Sequence, residues 1–181
     1  MFVRAGRVLL ATNGLSLSLS ELTAAQAKLT LAVATEPLTR AQIRALGLAS
    51  RKPFYTVDLP YLWGRLMKNN AAIFGSGLVH APEERNLHEI DLRKGDAAER
   101  IAWIENRVRA LHPVLQKVRF SHRWGGPILL TDGAKPVFRT HPTLAGVMVL
   151  AGYNGHGVAL SVYLGEWAAQ ALLGRRELPK W

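Results

Sequence analysis

The 181-residue sequence predicts an α+β fold, with an antiparallel sheet and covering helices through the middle of the chain and a strand, a loop and a helix at its end. Three observations predict it. Leu29–Thr35 (LTLAVAT) and Val118–Trp124 (VRFSHRW) alternate at least in part with the period of two that puts successive side chains on opposite faces of a strand. Ile101, Ile104, Val108 and Leu111 recur at helical spacing, which makes one apolar stripe on a helix. Val8–Thr12 (VLLAT) and Gly146–Ala151 (GVMVLA) are continuous apolar runs, the pattern of strands buried on both faces.

The elements follow in order. Val8–Thr12 is a strand closed by the turn pair Asn13-Gly14, and its neighbours must come from later in the chain or from outside it. Leu29–Thr35 is the next strand. Thr39 is placed to cap a short helix that stops at Gly47. Tyr61–Met67 and Ala71–Gly75, joined by Lys68-Asn69-Asn70, read as an antiparallel hairpin on which Tyr61, Trp63 and Arg65 share a face. The turn-rich stretch His80–Asp91 reads as a long loop. Asp96-Ala97-Ala98-Glu99 resembles a capping box at the start of the amphipathic helix, and Pro113 ends it. Val118–Trp124 is predicted to turn at Gly125-Gly126-Pro127 and resume as Ile128–Thr131 before the Asp132-Gly133 turn. After the Gly146–Ala151 strand comes the loop Gly152-Tyr153-Asn154-Gly155-His156-Gly157, then a helix from Val158 to Gly174 with Arg175 and Arg176 at its negative end.

Composition narrows the functional classes. With 49% hydrophobic residues and no cysteine, the chain is globular and excludes disulfides, thiolate metal sites and a cysteine nucleophile. No apolar window is long enough to span a bilayer and no secretory leader is visible, so a cytoplasmic location is expected. The net charge of +10 raises the question of nucleic acid, but the 23 Lys and Arg residues never run longer than two and accompany no DNA- or RNA-binding motif. His122, His141 and His156 match no metal-ligand spacing, and no nucleophile-elbow serine is present to partner a histidine. No metal is therefore expected.

A glycine-rich turn between a buried strand and a helix lets backbone approach a ligand and leaves the first helical N–H groups free, with the positive end of the dipole outward. Such a joint suits an anionic or electron-rich ligand. The order of the glycines is not that of a dinucleotide fingerprint, and taken alone the joint reads as a tight turn with His156 on the surface.

Four motifs in order carry a resemblance: Val8–Gly14, Ala34-Thr35-Glu36-Pro37-Leu38, His122-Arg123-Trp124-Gly125-Gly126-Pro127 with Thr131-Asp132-Gly133, and Gly152–Val158. Over nearly its whole length the chain resembles the C-terminal part of FAD-dependent oxidoreductases of the D-amino-acid oxidase, glycine oxidase and sarcosine oxidase superfamily, most of all the γ-glutamylputrescine oxidase-like branch. The resemblance implies FAD as cofactor and an α+β fragment of a flavoprotein. Residues 1–28 would end the FAD-binding domain, 29–140 would be a substrate-binding domain of mostly antiparallel sheet, and 141–181 would return to the Rossmann-like FAD-binding domain. It implies that Ala11, Thr12 and Gly14, with Gly152, Tyr153, Asn154, Gly155, His156, Gly157 and Val158, contact the flavin. Tyr61, Trp63, Arg65 and Trp124 would line the amine pocket.

The implied chemistry is hydride transfer from the carbon beside the substrate nitrogen to the flavin, hydrolysis of the resulting imine, and reoxidation by oxygen; it requires no acid–base residue, and none is assigned. Two departures qualify it. No Gly-x-Gly-x-x-Gly stands in the sequence, so the half that would hold the ADP moiety is expected from elsewhere, for instance a separate chain. Near Ile128, where amino-acid-oxidising relatives carry a carboxylate-binding arginine, the run is Pro-Ile-Leu-Leu, which favours an amine as the small-molecule substrate over an α-amino acid. A basic nucleic-acid-binding module and an inactive structural subunit remain the alternatives.

Overall fold

The computed structural model describes residues 2–15, 17–22, 25–80 and 90–181, with the backbone alone at 77–80. Residues 81–89, most of the loop expected at His80–Asp91, lie outside the described residues. The fold is mixed α+β: β1 (Val8–Leu10), α1 (Leu17–Ser20), β2 (Gln26–Thr35), α2 (Arg40–Ala45), β3 (Phe54–Tyr55), β4 (Trp63–Leu66), β5 (Ala72–His80), α3 (Gly95–Leu111), β6 (Phe120–Leu130), β7 (Val137–Thr140), β8 (Val147–Ala151) and α4 (Gly157–Leu172). No helix among the described residues is long and apolar enough to cross a membrane. The chain divides into two compact units, one of residues 2–28 and 127–181, the other of 29–80 and 90–126.

In the first unit the strand order is β1-β8-β7. β1 runs parallel to β8, with Val8, Leu9 and Leu10 opposite Val147, Met148 and Val149, and β7 returns antiparallel on the other side of β8. The partner that Val8–Leu10 requires is thus the last strand, far along the sequence. β1 is shorter than the predicted Val8–Thr12, because the chain leaves the sheet at Ala11 and bends through a 3-10 turn at Asn13–Leu15, closed by the Leu15 amide donating to the Thr12 carbonyl at 3.1 Å. Phe138, Leu150, Leu164, Ala168 and Ala171 form the core between the sheet and α4.

α4 ends as its glycine predicts: Gly174 takes φ 72°, and the amides of Gly174 and Arg175 donate back to Ala171 and Gln170. The arginine at the end carbonyls differs from expectation. Arg7 donates to the Leu172 carbonyl, while Arg176 lies 3.7 Å over the Trp167 ring, a cation–π contact that the aromatic side chains of α4 offer and bare carbonyls do not.

In the second unit the order is β3-β4-β5-β2-β6, with β3, β4 and β5 antiparallel. The hairpin β4–β5 turns at Lys68–Asn70, where Asn70 adopts φ 66°. Thr39 caps α2 through a full capping box with Gln42. α3 buries Ala97, Ile101, Ile104 and Val108 and packs on β5, whose Phe74 is buried. Its start corrects the sequence reading: Lys94 is the N-cap, and no side chain among the described residues caps the helix. Gly95 at φ 55° begins the helix ahead of Asp96, which instead sits in the first turn, where a carboxylate favours the dipole, 3.6 Å from Arg100. Leu111, last of the apolar stripe, is exposed, because the helix ends there.

A second correction concerns Gly125-Gly126-Pro127. β6 runs unbroken through these residues. As an edge strand it tolerates a proline with no N–H to donate, and a Cβ on Gly125 would stand 3.3 Å from Leu31 Cδ2. The glycine therefore serves close passage over β2.

Candidate functional site

The joint between β8 and α4 is built from backbone. Gly152 at φ 71° turns the chain out of the sheet, and no side chain fits there, since a Cβ would lie 2.4 Å from Thr131 Cγ2. Asn154 at φ 52° and Gly155 at φ 85° complete the turn. Asparagine tolerates the left-handed region when its side chain bonds locally, as it does here. Asn154 Oδ1 accepts from the Thr131 amide at 2.9 Å, and its Nδ2 donates to Thr131 Oγ1 at 2.9 Å and to the Gly152 carbonyl at 2.6 Å. The Asn154 amide donates to Leu129 at 3.3 Å, so the loop is tied to the end of β6.

The bend after β1 meets the same loop. Asn13 Oδ1 accepts from the Gly152 amide at 3.1 Å, which brings Ala11–Gly14 beside the loop. Thr12 Oγ1 is buried there with no hydrogen-bond partner among the described residues. Such a hydroxyl costs free energy unless something occupies it.

At the start of α4 the amides of Gly157 and Val158, and those of Tyr153 and Gly155 before them, donate to no acceptor among the described residues; the His156 amide between them donates to the Tyr153 carbonyl at 2.9 Å, and within the helix the first amides to turn inward are Ala159 and Leu160, both to His156. His156 is the N-cap residue, with no side-chain cap bond and an exposed ring. Val158 is 95% exposed and Val162 77%. The joint therefore presents unpaired N–H groups and the positive end of a 16-residue helix. Gly155 leaves open space where a side chain would stand, and Tyr153 packs against Gly157. Partial burial raises the Tyr153 phenol above its ordinary pKa, so the ring stays neutral.

These features fit an anionic or electron-rich ligand. The residues expected at the cofactor, Ala11, Thr12, Gly14 and Gly152 through Val158, are brought together in one unit, and the sequence reading missed two supports, Asn13 and Thr131. Asn13 was visible only as half of a turn pair. Thr131 was visible only as part of the Thr131-Asp132-Gly133 motif, and its hydrogen bonds were not, because they depend on a residue 23 positions away.

In the second unit, Trp63 and Arg65 project from one face of β4, while Gly64 and Leu66 are buried on the other. Tyr61 precedes β4, is 50% exposed, and packs edge-on against Tyr55 with centroids 6.2 Å apart. Tyr55 pairs across the strands with Trp63 and so shares its face, a neighbour that the sequence alone did not reveal. Trp124, 39% exposed, stands on β6, which β5 and β2 separate from β4 in the sheet. Of the histidines, His141 is buried and occupied: its Nδ1 accepts from Thr143 and Leu144, and its Nε2 faces the Leu19 carbonyl at 2.8 Å.

A family model described as FAD-dependent oxidoreductase (DAO) matches residues 2–171. The chain is 29% identical over 150 residues to γ-glutamylputrescine oxidoreductase of Escherichia coli, covering 82% of this chain and 31% of that protein. It is 28% identical over 146 residues to a probable oxidoreductase, OrdL, of Haemophilus influenzae, covering 80% and 29%. Among solved structures, glycine oxidase of Geobacillus kaustophilus superposes with a TM-score of 0.71 at 14% identity, over 94% of this chain and 42% of that one. The chain thus spans less than a third of the length of these curated relatives.

Proposed function

Because the chain belongs to the family of FAD-dependent oxidoreductases, we propose that its β8–α4 joint holds the isoalloxazine end of FAD and that it serves an oxidoreductase acting on the CH–NH group of an amine or amino-acid-derived substrate. The observation that carries this reading is the set of amides at Tyr153, Gly155, Gly157 and Val158 that have no acceptor among the described residues, with the buried Thr12 hydroxyl, likewise without a partner among them, in the same unit. FAD held there would supply the two-electron acceptor for oxidation of the carbon beside the substrate nitrogen.

The protein's own contribution is electrostatic and positional. The amides and the dipole of α4 favour negative charge at the joint, and they need no reorganisation to do so because Asn154 and Asn13 already fix the loop. Ala11, Thr12 and Gly14 approach from the β1 bend. Tyr61, Trp63, Arg65 and Trp124 are assigned to substrate binding. The Gly-x-Gly-x-x-Gly half that binds the rest of such a cofactor is not within this sequence, and we assign it to further polypeptide, joined to this chain or separate from it.

Co-expression with the Gly-x-Gly-x-x-Gly half of a relative tests the reading. A yellow complex that is bleached by an amine substrate is the expected result. A colourless complex contradicts it.

A further inference from the structure

Strand register collects four side chains on one face of the second unit's sheet. Tyr55 pairs with Trp63, Trp63 with Gly75, and Arg65 with Ile73, so Tyr55, Trp63, Arg65 and Ile73 stand together. The opposite face is closed by Leu66 and Phe74, with Phe54 over Gly64. Gly75 yields its side-chain space to the indole: a Cβ there would lie 2.1 Å from Trp63 Cζ2, so the ring lies across the β5 backbone.

Arg65 is exposed beside this aromatic row and makes no hydrogen bond or ion pair with any described residue. Its neighbours in the unit are used otherwise: Arg107 binds Asp58, and Arg109 and Arg123 both bind Glu105. A guanidinium is a planar fork that matches a carboxylate, and an adjacent aromatic surface shelters the contact from water. Trp63 and Arg65 are two residues apart, about 6.6 Å along a strand, which is the span of a short aliphatic chain.

Resting on the amine-oxidising reading above, we propose that Arg65 is a specificity-determining residue. It takes a carboxylate at the far end of the substrate, whose aliphatic body lies along Trp63 and Tyr55. The substrate class is then an amine bearing a remote carboxylate, distinct both from a simple alkylamine and from an α-amino acid, whose carboxylate adjoins the amine.

The test uses the chain as it stands, without flavin, at low ionic strength. The Trp63 indole N–H resonance, assigned with Trp63→Phe, is followed by NMR during titration with 6-aminohexanoate and, separately, hexylamine. The expected result is a saturable shift with 6-aminohexanoate and binding of hexylamine weaker by about tenfold or more. Arg65→Gln brings 6-aminohexanoate down to the hexylamine level, and Arg65→Lys keeps part of the difference. Arg65 is exposed, and the dispersion of the amide spectrum reports that each variant is folded. Equal binding of the two probes, unchanged binding by folded Arg65→Gln, or no shift with either probe overturns the proposal. Because flavin is absent from the titration, its failure leaves the yellow-complex test untouched, and a colourless complex leaves the titration result standing.

Discussion

Between Gly152 and Val158 the groups turned outward are backbone amides, whereas on β3 and β4 they are the side chains of Tyr55, Trp63 and Arg65. The first surface exists only while the backbone holds left-handed angles at Gly152, Asn154 and Gly155. The second stands on an ordinary strand whose buried face supplies the stability. Chemistry and folding are thus inseparable at the joint and separable on the sheet, and substitutions distinguish the two.

The largest effect is expected beneath the sheet. Phe74→Ala removes a fully buried ring and should cost about 3–5 kcal/mol by denaturant unfolding. At the joint, Gly152→Ala should cost about 2–4 kcal/mol, from the left-handed angle together with the 2.4 Å approach to Thr131 Cγ2. Thr131→Ser in the same chain removes that methyl and should restore about 1–2 kcal/mol, leaving the backbone part. Full restoration would show that the conformation at Gly152 is unstrained for alanine.

Legibility in the sequence follows the same division. Period-two strands, the helical stripe of α3, the Thr39 cap and the Gly174 stop were readable because each is decided by neighbouring residues. The parallel pairing of β1 with β8 was not, since its partners are about 140 residues apart along the chain and parallel strands leave no turn signature. The Gly-Gly-Pro of β6 misled because glycine and proline mark turns in isolation, while an edge strand absorbs them. At the candidate site the glycines of the loop were legible. Thr131, Asn13 and Tyr55 were not, because register and tertiary hydrogen bonds bring them there.

Smaller effects sharpen the contrast. Asn154→Gly preserves the backbone angle but deletes the side-chain bonds to Thr131 and Gly152, and should cost about 1–2 kcal/mol in thermal or chemical unfolding. For Tyr153, burial raises the folded phenol's pKa, so the folded state favours the neutral ring. Stability is then fully present below the phenol's ordinary range and declines as pH rises through the raised folded value. Tyr153→Phe should remove that alkaline decline and leave neutral-pH stability nearly unchanged, as read by unfolding curves across the alkaline range. On the open face, Arg65→Gln should change stability by no more than about 0.5 kcal/mol, in keeping with its lack of partners among the described residues.

The most direct measurement is the chemical shift of the Gly155, Gly157 and Val158 amides in the chain combined with its flavin-binding complement, recorded with oxidised flavin and again after reduction by dithionite. These amides are expected to move most on binding and to move further on reduction, as negative charge arrives at the flavin ring we propose they face. Amides that stay where they are in the free chain while flavin binds elsewhere would contradict it.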